Sequence, residues 1–291
     1  MRGRLSGTFL AAWTAVPVQQ NDNHFGGRSV LGGVHIRTRT VSLTSWVAKM
    51  GAFLAAWQVL IWVFNPSPIG FPSPLQVARA FWQILEVGFI EVSLPEHIWT
   101  SSRRLLMGYA ACLIVGIPAG FLMARIDFLR NMFTPFITLF RPLPSFAWLA
   151  LLVAWFGFGE LPKVAVVYVA TVTIMMLGTM DAVRRVPPHF RDVARVLGAR
   201  RGQLFLYVVI PAALPQILSS ARVALTVAWS ALIAAELVAA GSGLGVIIIQ
   251  SARFIRTDQT FAGLITLGIV GGLTDRMMAA LQRSVAEWGN R

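Results

Sequence analysis

Residues 192–211 read DVARVLGARRGQLFLYVVIP, a basic stretch that carries Gly198 and ends at Pro211. The apolar segments on either side of it, 161–180 and 221–240, are each long enough to cross a bilayer core as a helix, which takes about 20 residues. A basic segment with a regular apolar pattern does not fit inside a bilayer. The stretch therefore indicates a structured loop at the membrane surface, between two spanning helices.

The composition places the chain among membrane proteins. Of its 291 residues, 56% are hydrophobic and only 13% are charged, whereas about a quarter of the residues in soluble domains are charged. The 25 basic and 12 acidic residues give a formal net charge of +13. In a soluble protein that charge would suggest nucleic acid, but in a membrane protein basic residues concentrate in cytoplasmic loops. We therefore expect an all-α membrane protein that does not bind nucleic acid.

About six transmembrane helices are predicted from the long apolar segments. They cover residues 46–64, 105–124, about 133–158, 161–180, 221–240 and 261–282. The third is interrupted by Arg141-Pro-Leu-Pro144, and residues 75–98 have the pattern of an amphipathic surface helix. Residues 1–45 are polar and irregular, which predicts either a disordered cytoplasmic tail or a stretch ahead of the true translation start. Residues 289–291 are predicted to be a short tail.

The distribution of arginine predicts the topology. The loops after the second and fourth predicted spans carry eight arginines: Arg125, Arg130, Arg184, Arg185, Arg191, Arg195, Arg200 and Arg201. The segment 65–98, after the first span, carries only Arg79 against three glutamates. Because positively charged loops stay in the cytoplasm, both termini and the loop 188–211 are predicted to be cytoplasmic.

The first half of the loop 188–211 has the pattern of a short amphipathic helix. Pro188 suits a first helical turn, and Gly198 is placed to end the helix in the left-handed conformation. Three apolar residues share one face of this helix: Val193, Val196 and Leu197.

A second short helix is predicted to follow, and Pro211 is predicted to break it. Its apolar residues on a common side are Leu204, Tyr207 and Val208. The result would be a helix, a tight turn and a helix, with an exposed apolar stripe bordered by arginines. Such a stripe fits either a protein partner or an amphipathic hairpin that lies on the inner leaflet.

This loop resembles the EAA loop of bacterial ABC importer permeases. The family pattern is Glu-Ala-Ala, three residues, Gly, nine residues, and then Ile-x-Leu-Pro. In this chain the same spacing joins Asp192-Val193-Ala194, Gly198 and Val208-Val209-Ile210-Pro211. Three positions match outright, three are conservative replacements, and Val193 is the one real departure from the pattern.

The resemblance covers about residues 66–288. The runs FRPLPSFAWLALLVAWFGFGE (140–160) and AAELVAAGSGLGVIIIQSARFIRTD (234–258) are similar to the nitrate, sulfonate and taurine branch of the family. The implied fold is that of a type I ABC importer permease, with a transmembrane domain over 46–288 in the bacterial plasma membrane. The implied substrate is a small anion, an aliphatic sulfonate, taurine or a nitrate-like oxyanion, with bicarbonate or a pyrimidine precursor as alternatives.

The resemblance also implies a mechanism and a set of partners. In such importers the EAA loop supplies a coupling helix that docks on a cytoplasmic ATPase, so five residues become candidate coupling residues: Asp192, Ala194, Gly198, Ile210 and Pro211. The implied partners are two copies of the ATPase, a second permease copy that completes a homodimer, and a periplasmic or lipid-anchored substrate-binding protein. All of them would meet in the lipid bilayer.

The chain is not expected to be an enzyme. A nucleotide-binding P-loop needs Gly-Lys, and the two lysines, Lys49 and Lys163, follow Ala48 and Pro162. ATP and Mg are therefore assigned to the partner ATPase, and no cofactor or metal is expected in this chain. An ion-coupled secondary transporter or a channel is the alternative from another class, but neither would need a docking loop on its cytoplasmic face.

Two charged residues in the predicted spans are candidates for the translocation path. Arg141 precedes two prolines in the third span and could supply positive potential for an anion, or cap carbonyl groups freed by those prolines. Glu236 lies near the outer end of the fifth span, where an internal ion pair, with Arg141 as a possible partner, is the simpler interpretation. Residues 241–245, Gly-Ser-Gly-Leu-Gly, are predicted to form a flexible outer turn.

Overall fold

The computed structural model describes residues 43–64, 70–145 and 147–288 of the chain. These ranges leave out residues 1–42 of the predicted tail 1–45 and all of the predicted tail 289–291. Within the described ranges the chain is helical, with one isolated β-bridge between Phe89 and Val92. The prediction of an all-α protein is therefore confirmed.

Eleven α-helices and one π-helical segment make up the described residues. In chain order they are α1 (Leu43–Phe64), α2 (Pro74–Val87), α3 (Leu94–Arg125), α4 (Asp127–Phe140), α5 (Ala147–Phe156), α6 (Glu160–Arg184), α7 (Pro188–Val196), α8 (Arg201–Leu204), the π-helical segment Phe205–Val209, α9 (Ile210–Ala239), α10 (Leu244–Arg253) and α11 (Thr257–Trp288).

Four of the described helices are long and apolar enough to cross a membrane unaided: Leu94–Arg125, Glu160–Arg184, Arg201–Val238 and Thr257–Val285. Shorter apolar helices cover Ala48–Phe64, Ala147–Phe156 and Leu244–Arg253. The predicted six spans correspond to α1, α3, the α4–α5 pair, α6, α9 and α11. The third span is interrupted as predicted, because α4 ends at Phe140 and α5 begins at Ala147.

The single amphipathic helix predicted over 75–98 is wrong. Helix α2 ends after Val87, where Gly88 adopts a φ of +86° and donates its N–H to the carbonyl of Ile84. A Cβ atom at Gly88 would lie 2.6 Å from the carbonyl oxygen of Val92, so the chain turns here through a conformation that only glycine adopts easily. Helix α3 then begins at Leu94, so the second span starts eleven residues earlier than its predicted start at 105.

Helices α3, α6 and α9 form the centre of the bundle. Gly116 and Gly120 of α3 allow close contact with α6, because a Cβ atom at Gly116 would lie 2.7 Å from the Cβ of Met175. This is the close helix packing that a GxxxG spacing favours. Cys112, on the same helix, is fully buried in the main hydrophobic core.

Candidate coupling loop and charged cluster

The turn after α7 is a Schellman motif. Gly198 has a φ of +81°, the N–H of Ala199 donates to the carbonyl of Ala194 at 3.0 Å, and the N–H of Gly198 donates to that of Arg195 at 2.9 Å. The predicted left-handed stop at Gly198 is thus confirmed. It ends the helix with two of its last carbonyl groups satisfied and turns the chain sharply toward α8.

Helix α7 has an inner and an outer face. Ala194 is 8% exposed and packs against the rest of the chain, whereas Val193, Val196 and Leu197 are 59%, 88% and 81% exposed. The apolar stripe predicted from the sequence is therefore present and uncovered by the described part of the chain. An exposed apolar stripe of this kind favours a protein or membrane contact.

The prediction that Pro211 breaks the second short helix is wrong. Helix α8 continues through the π-helical segment Phe205–Val209 into α9, so that 201–238 is one helical rod. At the junction the N–H of Ile210 donates to the carbonyl of Phe205, five residues back. Such a wide turn displaces the carbonyl groups that a proline ring would otherwise meet. Pro211 comes directly after this wide turn, so the continuous helix accommodates its ring even though the residue has no N–H to donate.

The five candidate coupling residues differ in exposure. Ala194 is buried, Ile210 is half-buried, and Asp192, Gly198 and Pro211 are exposed. Asp192 forms an ion pair with Arg195 at 3.1 Å on the surface of α7. The structure brings Asp192, Ala194 and Gly198 together on α7 and its cap, and places Ile210 and Pro211 at the start of α9. Their role in coupling stays a prediction.

A charged cluster lies at the opposite end of α3. The Nε and Nη2 atoms of Arg104 donate to the carboxylate of Glu160 on α6 at 2.6 and 2.7 Å, and its Nη1 donates to Glu236 on α9 at 2.7 Å. Lys163 donates to Glu160 at 3.0 Å. Two cations thus face two carboxylates. Because Arg104 is only 2% exposed, each of its charge-assisted bonds is needed to offset the cost of burial.

The same cluster anchors the turn at residues 241–245. Ser101 donates its hydroxyl to Glu236 at 2.8 Å and accepts the N–H of Leu244 at 2.8 Å. Glu236 also accepts the N–H of Gly245 at 2.9 Å, and Arg104 donates to the carbonyl of Ser242 at 2.6 Å. The predicted flexible turn is therefore wrong, because buried side chains hold its backbone at several points.

His97 completes this anchor. Its Nε2 lies 3.1 Å from the carbonyl oxygen of Phe89, and its Nδ1 lies 3.0 Å from both the carbonyl oxygen and the amide nitrogen of Gly243. The imidazole thus links the turn 241–245 to the segment between α2 and α3. A Cβ atom at Gly243, where φ is +130°, would overlap the carboxylate of Glu236. The turn therefore requires glycine at this position.

The suggested ion pair between Glu236 and Arg141 is wrong, because Glu236 pairs with Arg104. Arg141 follows the last residue of α4, where its backbone N–H donates to the carbonyl of Ile137 at 2.9 Å. Its side chain is exposed and makes no ion pair with any residue that the structure describes. The structure does not bring the two candidate path residues together, and their proposed roles have to be separated.

Arg104 is a site residue that the sequence did not predict. The residue lies between the predicted surface helix, which ended at residue 98, and the predicted second span, which began at residue 105. One signal could have found it: Ser101 and Arg104 are three residues apart, and His97 precedes Ser101 by four, so all three lie on one helical face. The face that carries these three residues is polar, whereas most of the helix that follows is apolar.

The family of binding-protein-dependent transport system inner membrane components matches residues 116–287. That match covers more than half of the chain. The chain belongs to this family of ABC importer permeases. It is a multi-pass inner membrane protein that works with a substrate-binding protein and with an ATPase on a separate subunit.

Curated relatives agree with this assignment. The chain is similar to the taurine transport system permease protein TauC of Escherichia coli, with 34% identity over 86% of this chain and 91% of the relative. It is also 32% identical to a putative aliphatic sulfonates transport permease protein, SsuC, of Bacillus subtilis, over 81% of this chain and 84% of the relative. The nitrate import permease protein NrtB of Synechocystis is 28% identical, over 81% and 86%.

Solved structures support the fold. The inward-facing MetNI methionine ABC transporter superposes with a TM-score of 0.59 at 20% identity, and the match covers 66% of this permease and 95% of that chain. At this identity the likeness shows the fold alone. The predictions of the family and of an ABC importer permease fold are therefore confirmed.

Proposed function

We propose that this permease imports a small sulfonate, taurine or an aliphatic sulfonate, with a nitrate-like oxyanion as the second candidate. The observation that carries the proposal is the 34% identity over 91% of a taurine transport permease. A second relative is named for aliphatic sulfonates and a third for nitrate. Taurine, alkyl sulfonates and nitrate share a compact oxyanion. Bicarbonate and a pyrimidine precursor remain alternatives within the same machinery.

The loop 188–211 is proposed as the linkage to the ATPase. The exposed apolar stripe on α7 supports this role, because a stripe of this kind fits a groove on a partner protein. The Schellman turn also supports this role, because a rigid turn between the two helices would make α8 move when α7 is displaced. From α8 the helix runs unbroken to Val238. A movement of the docked loop would therefore reach the far end of α9.

The proposed assembly contains two copies of this permease and two copies of the ATPase. Large apolar side chains on α4, α5 and α11 are exposed in the single chain, among them Phe136, Trp155 and Ile269. Such faces suit lipid or a second permease copy. We assign residues 46–288 to the transmembrane domain and place both termini in the cytoplasm, on the same side as the arginine-rich loop.

Arg141 and Glu236 receive different roles in this proposal. Arg141 is exposed beside the break between α4 and α5, where a free guanidinium would attract an anion. Glu236 is 1% exposed and fully engaged with Arg104, Ser101 and Gly245. A carboxylate that is buried and paired in this way does not attract an anion, so Glu236 acts as a structural brace for the turn 241–245.

Growth and uptake measurements test the substrate. A strain that lacks this gene is expected to grow on sulfate but to fail with taurine or ethanesulfonate as the sole sulfur source, and to lose uptake of labelled taurine. The gene supplied in trans restores both. Normal growth on every sulfonate together with lost growth on nitrate would transfer the assignment to nitrate. Normal growth on all of these anions would overturn the oxyanion proposal.

A further inference from the structure

A basic cavity of about 780 Å³ lies behind the loop 188–211. It is bounded by the adjoining ends of α3 and α4, the end of α6, helices α7 and α8, and the π-helical segment. Six arginines and a single aspartate, Asp127, line it: Arg125, Arg130, Arg184, Arg191, Arg195 and Arg201. Its volume falls within the range of about 300–1,000 Å³ that is typical of sites for small ligands.

The face of α7 that lines the cavity is turned away from the apolar stripe. Arg191 and Arg195 are four residues apart and share one side of the helix, whereas Val193 and Val196 lie on the other side. Docking on the apolar stripe would therefore leave the cavity side of α7 facing its own chain. This separation argues against an ATPase side chain as the occupant of the cavity.

Two arginines are held in place at the wall. Arg191 donates from Nη2 to the carbonyl of Val183 at 2.9 Å, while its Nε is buried and has no acceptor among the residues that the structure describes. The guanidinium of Arg125 lies 5.8 Å from the centre of the Phe205 ring, within the distance of a cation–π contact. The Val183 carbonyl and the Phe205 ring hold these two side chains at the wall without supplying a counter-charge.

The positive charge of the cavity is not balanced from within. Asp127 is already paired with Arg130, and Arg195 pairs with Asp192 on the surface of α7. The other arginines of the lining, Arg125, Arg184, Arg191 and Arg201, have no carboxylate partner among the described residues. Planar guanidinium groups bind phosphate oxygens through two parallel hydrogen bonds, and several of them converging on one space suit a group with three free oxygens.

We propose that this cavity binds a phosphate group, supplied either by an anionic lipid headgroup or by a soluble phosphate. Arg184 on α6, Arg191 on α7 and Arg201 on α8 would converge on one phosphate. The ligand would then join the end of a spanning helix to both short helices of the loop. It would thereby fix the position of α7 relative to the bundle and stabilise the loop in a conformation ready to dock.

Two neighbouring pairs of arginines provide matched variants. Arg184 and Arg201 line the cavity, whereas the adjacent Arg185 and Arg200 do not, and all four side chains are exposed. Removing a charge from either pair changes the net charge equally. Arg191 is less suited to the test, because its bond to the carbonyl of Val183 also supports the local fold.

The test measures the melting temperature of the purified full-length permease in detergent. Inorganic phosphate replaces chloride at constant ionic strength. We expect a saturable rise in melting temperature, with the apparent Kd for phosphate raised roughly tenfold by Arg184→Gln and by Arg201→Gln, since each removes a charge-assisted contact. Arg185→Gln and Arg200→Gln should respond like the parent. The proposal fails if phosphate has no effect, or the same effect on the parent and all four variants, and anionic lipid has no effect in the second measurement below.

The second arm identifies the source of the phosphate. The same proteins are placed in nanodiscs of phosphatidylcholine with or without phosphatidylglycerol. Stabilisation by phosphatidylglycerol that is lost only in the Arg184 and Arg201 variants supports the site and assigns it to a lipid headgroup. A response to free phosphate with none to phosphatidylglycerol supports it and assigns it to a soluble ligand. If neither arm responds and the Arg184 and Arg201 variants instead release the ATPase, the cavity receives protein carboxylates and the proposal fails.

Discussion

Arg104 of α3 and Glu236 of α9 form a buried ion pair, with 2.7 Å between Nη1 and Oε1, although the two residues are 132 positions apart in the sequence. The pair joins two of the three helices at the centre of the bundle, and Glu160 of α6 joins the third through the same guanidinium. One arginine thus holds three helices at one end of the bundle. The loop proposed for coupling lies at the other end of α6 and α9. When the loop moves, the ends of these helices at the charged cluster would therefore stay in place.

Replacing Arg104 is expected to destabilise the protein strongly. Arg104→Ala leaves Glu236 buried without its counter-charge, and breaking a buried pair in this way costs about 3–5 kcal/mol. The matched control is Arg103→Ala, because Arg103 is half-exposed and lies 4.0 Å from Glu160. Thermal melting of the purified variants should show a large decrease for Arg104→Ala and almost none for Arg103→Ala. Equal melting temperatures for Arg104→Ala and Arg103→Ala would mean that the charged cluster does not stabilise the bundle.

A methyl group at Gly243 is expected to disturb the same brace from the other side. In Gly243→Ala the new Cβ would overlap the carboxylate of Glu236, at a φ of +130° that alanine rarely adopts. Gly202→Ala is the control, since a Cβ there meets nothing within 4 Å. We expect a lower melting temperature and reduced uptake for Gly243→Ala, and an unchanged or slightly more stable Gly202→Ala. Full uptake in Gly243→Ala would show that the turn tolerates displacement.

The sequence predicted the features that depend on local chemistry. The left-handed stop at Gly198 followed from a glycine after an amphipathic run, and the break in the third span followed from Pro142 and Pro144. Both depend on backbone preferences that act within a few residues. The apolar stripe on α7 was also predicted correctly, because helical spacing alone determines which side chains share a face.

The sequence did not predict the features that depend on distant partners. Arg104 looked like an ordinary residue at the edge of an apolar run, since its partner Glu236 belongs to another helix. The turn 241–245 looked flexible because its glycines were visible while the side chains that anchor it were not. Pro211 looked like a helix breaker, since nothing in the spacing indicated a π-helical segment before it. In each case tertiary contacts or an altered backbone bond decided the outcome.

The apolar stripe on α7 can be tested without disturbing the fold. Val196 is 88% exposed, so Val196→Asp should leave the melting temperature unchanged while it places a charge in the proposed docking face. We expect the ATPase to co-purify at least roughly tenfold less well, whereas Val196→Ala, which keeps the face apolar, should lose little. Undiminished recovery of the ATPase with Val196→Asp would favour the alternative of a hairpin that lies on the membrane.

Arg141 separates an electrostatic role in the path from a structural one. Its side chain is exposed and has no ion-pair partner among the described residues, so Arg141→Gln should not lower the melting temperature. If its charge attracts the anion, uptake by Arg141→Gln should show a KM raised roughly fivefold, and Arg141→Lys should recover most of the loss, because steering depends on charge and not on the shape of the group. The dependence of KM on ionic strength should also weaken in Arg141→Gln, since screening then has less to act on. Arg141→Lys could instead raise KM as much as Arg141→Gln does, with lowered melting temperatures in both variants. That result would assign Arg141 to capping the carbonyl groups beside Pro142 and Pro144.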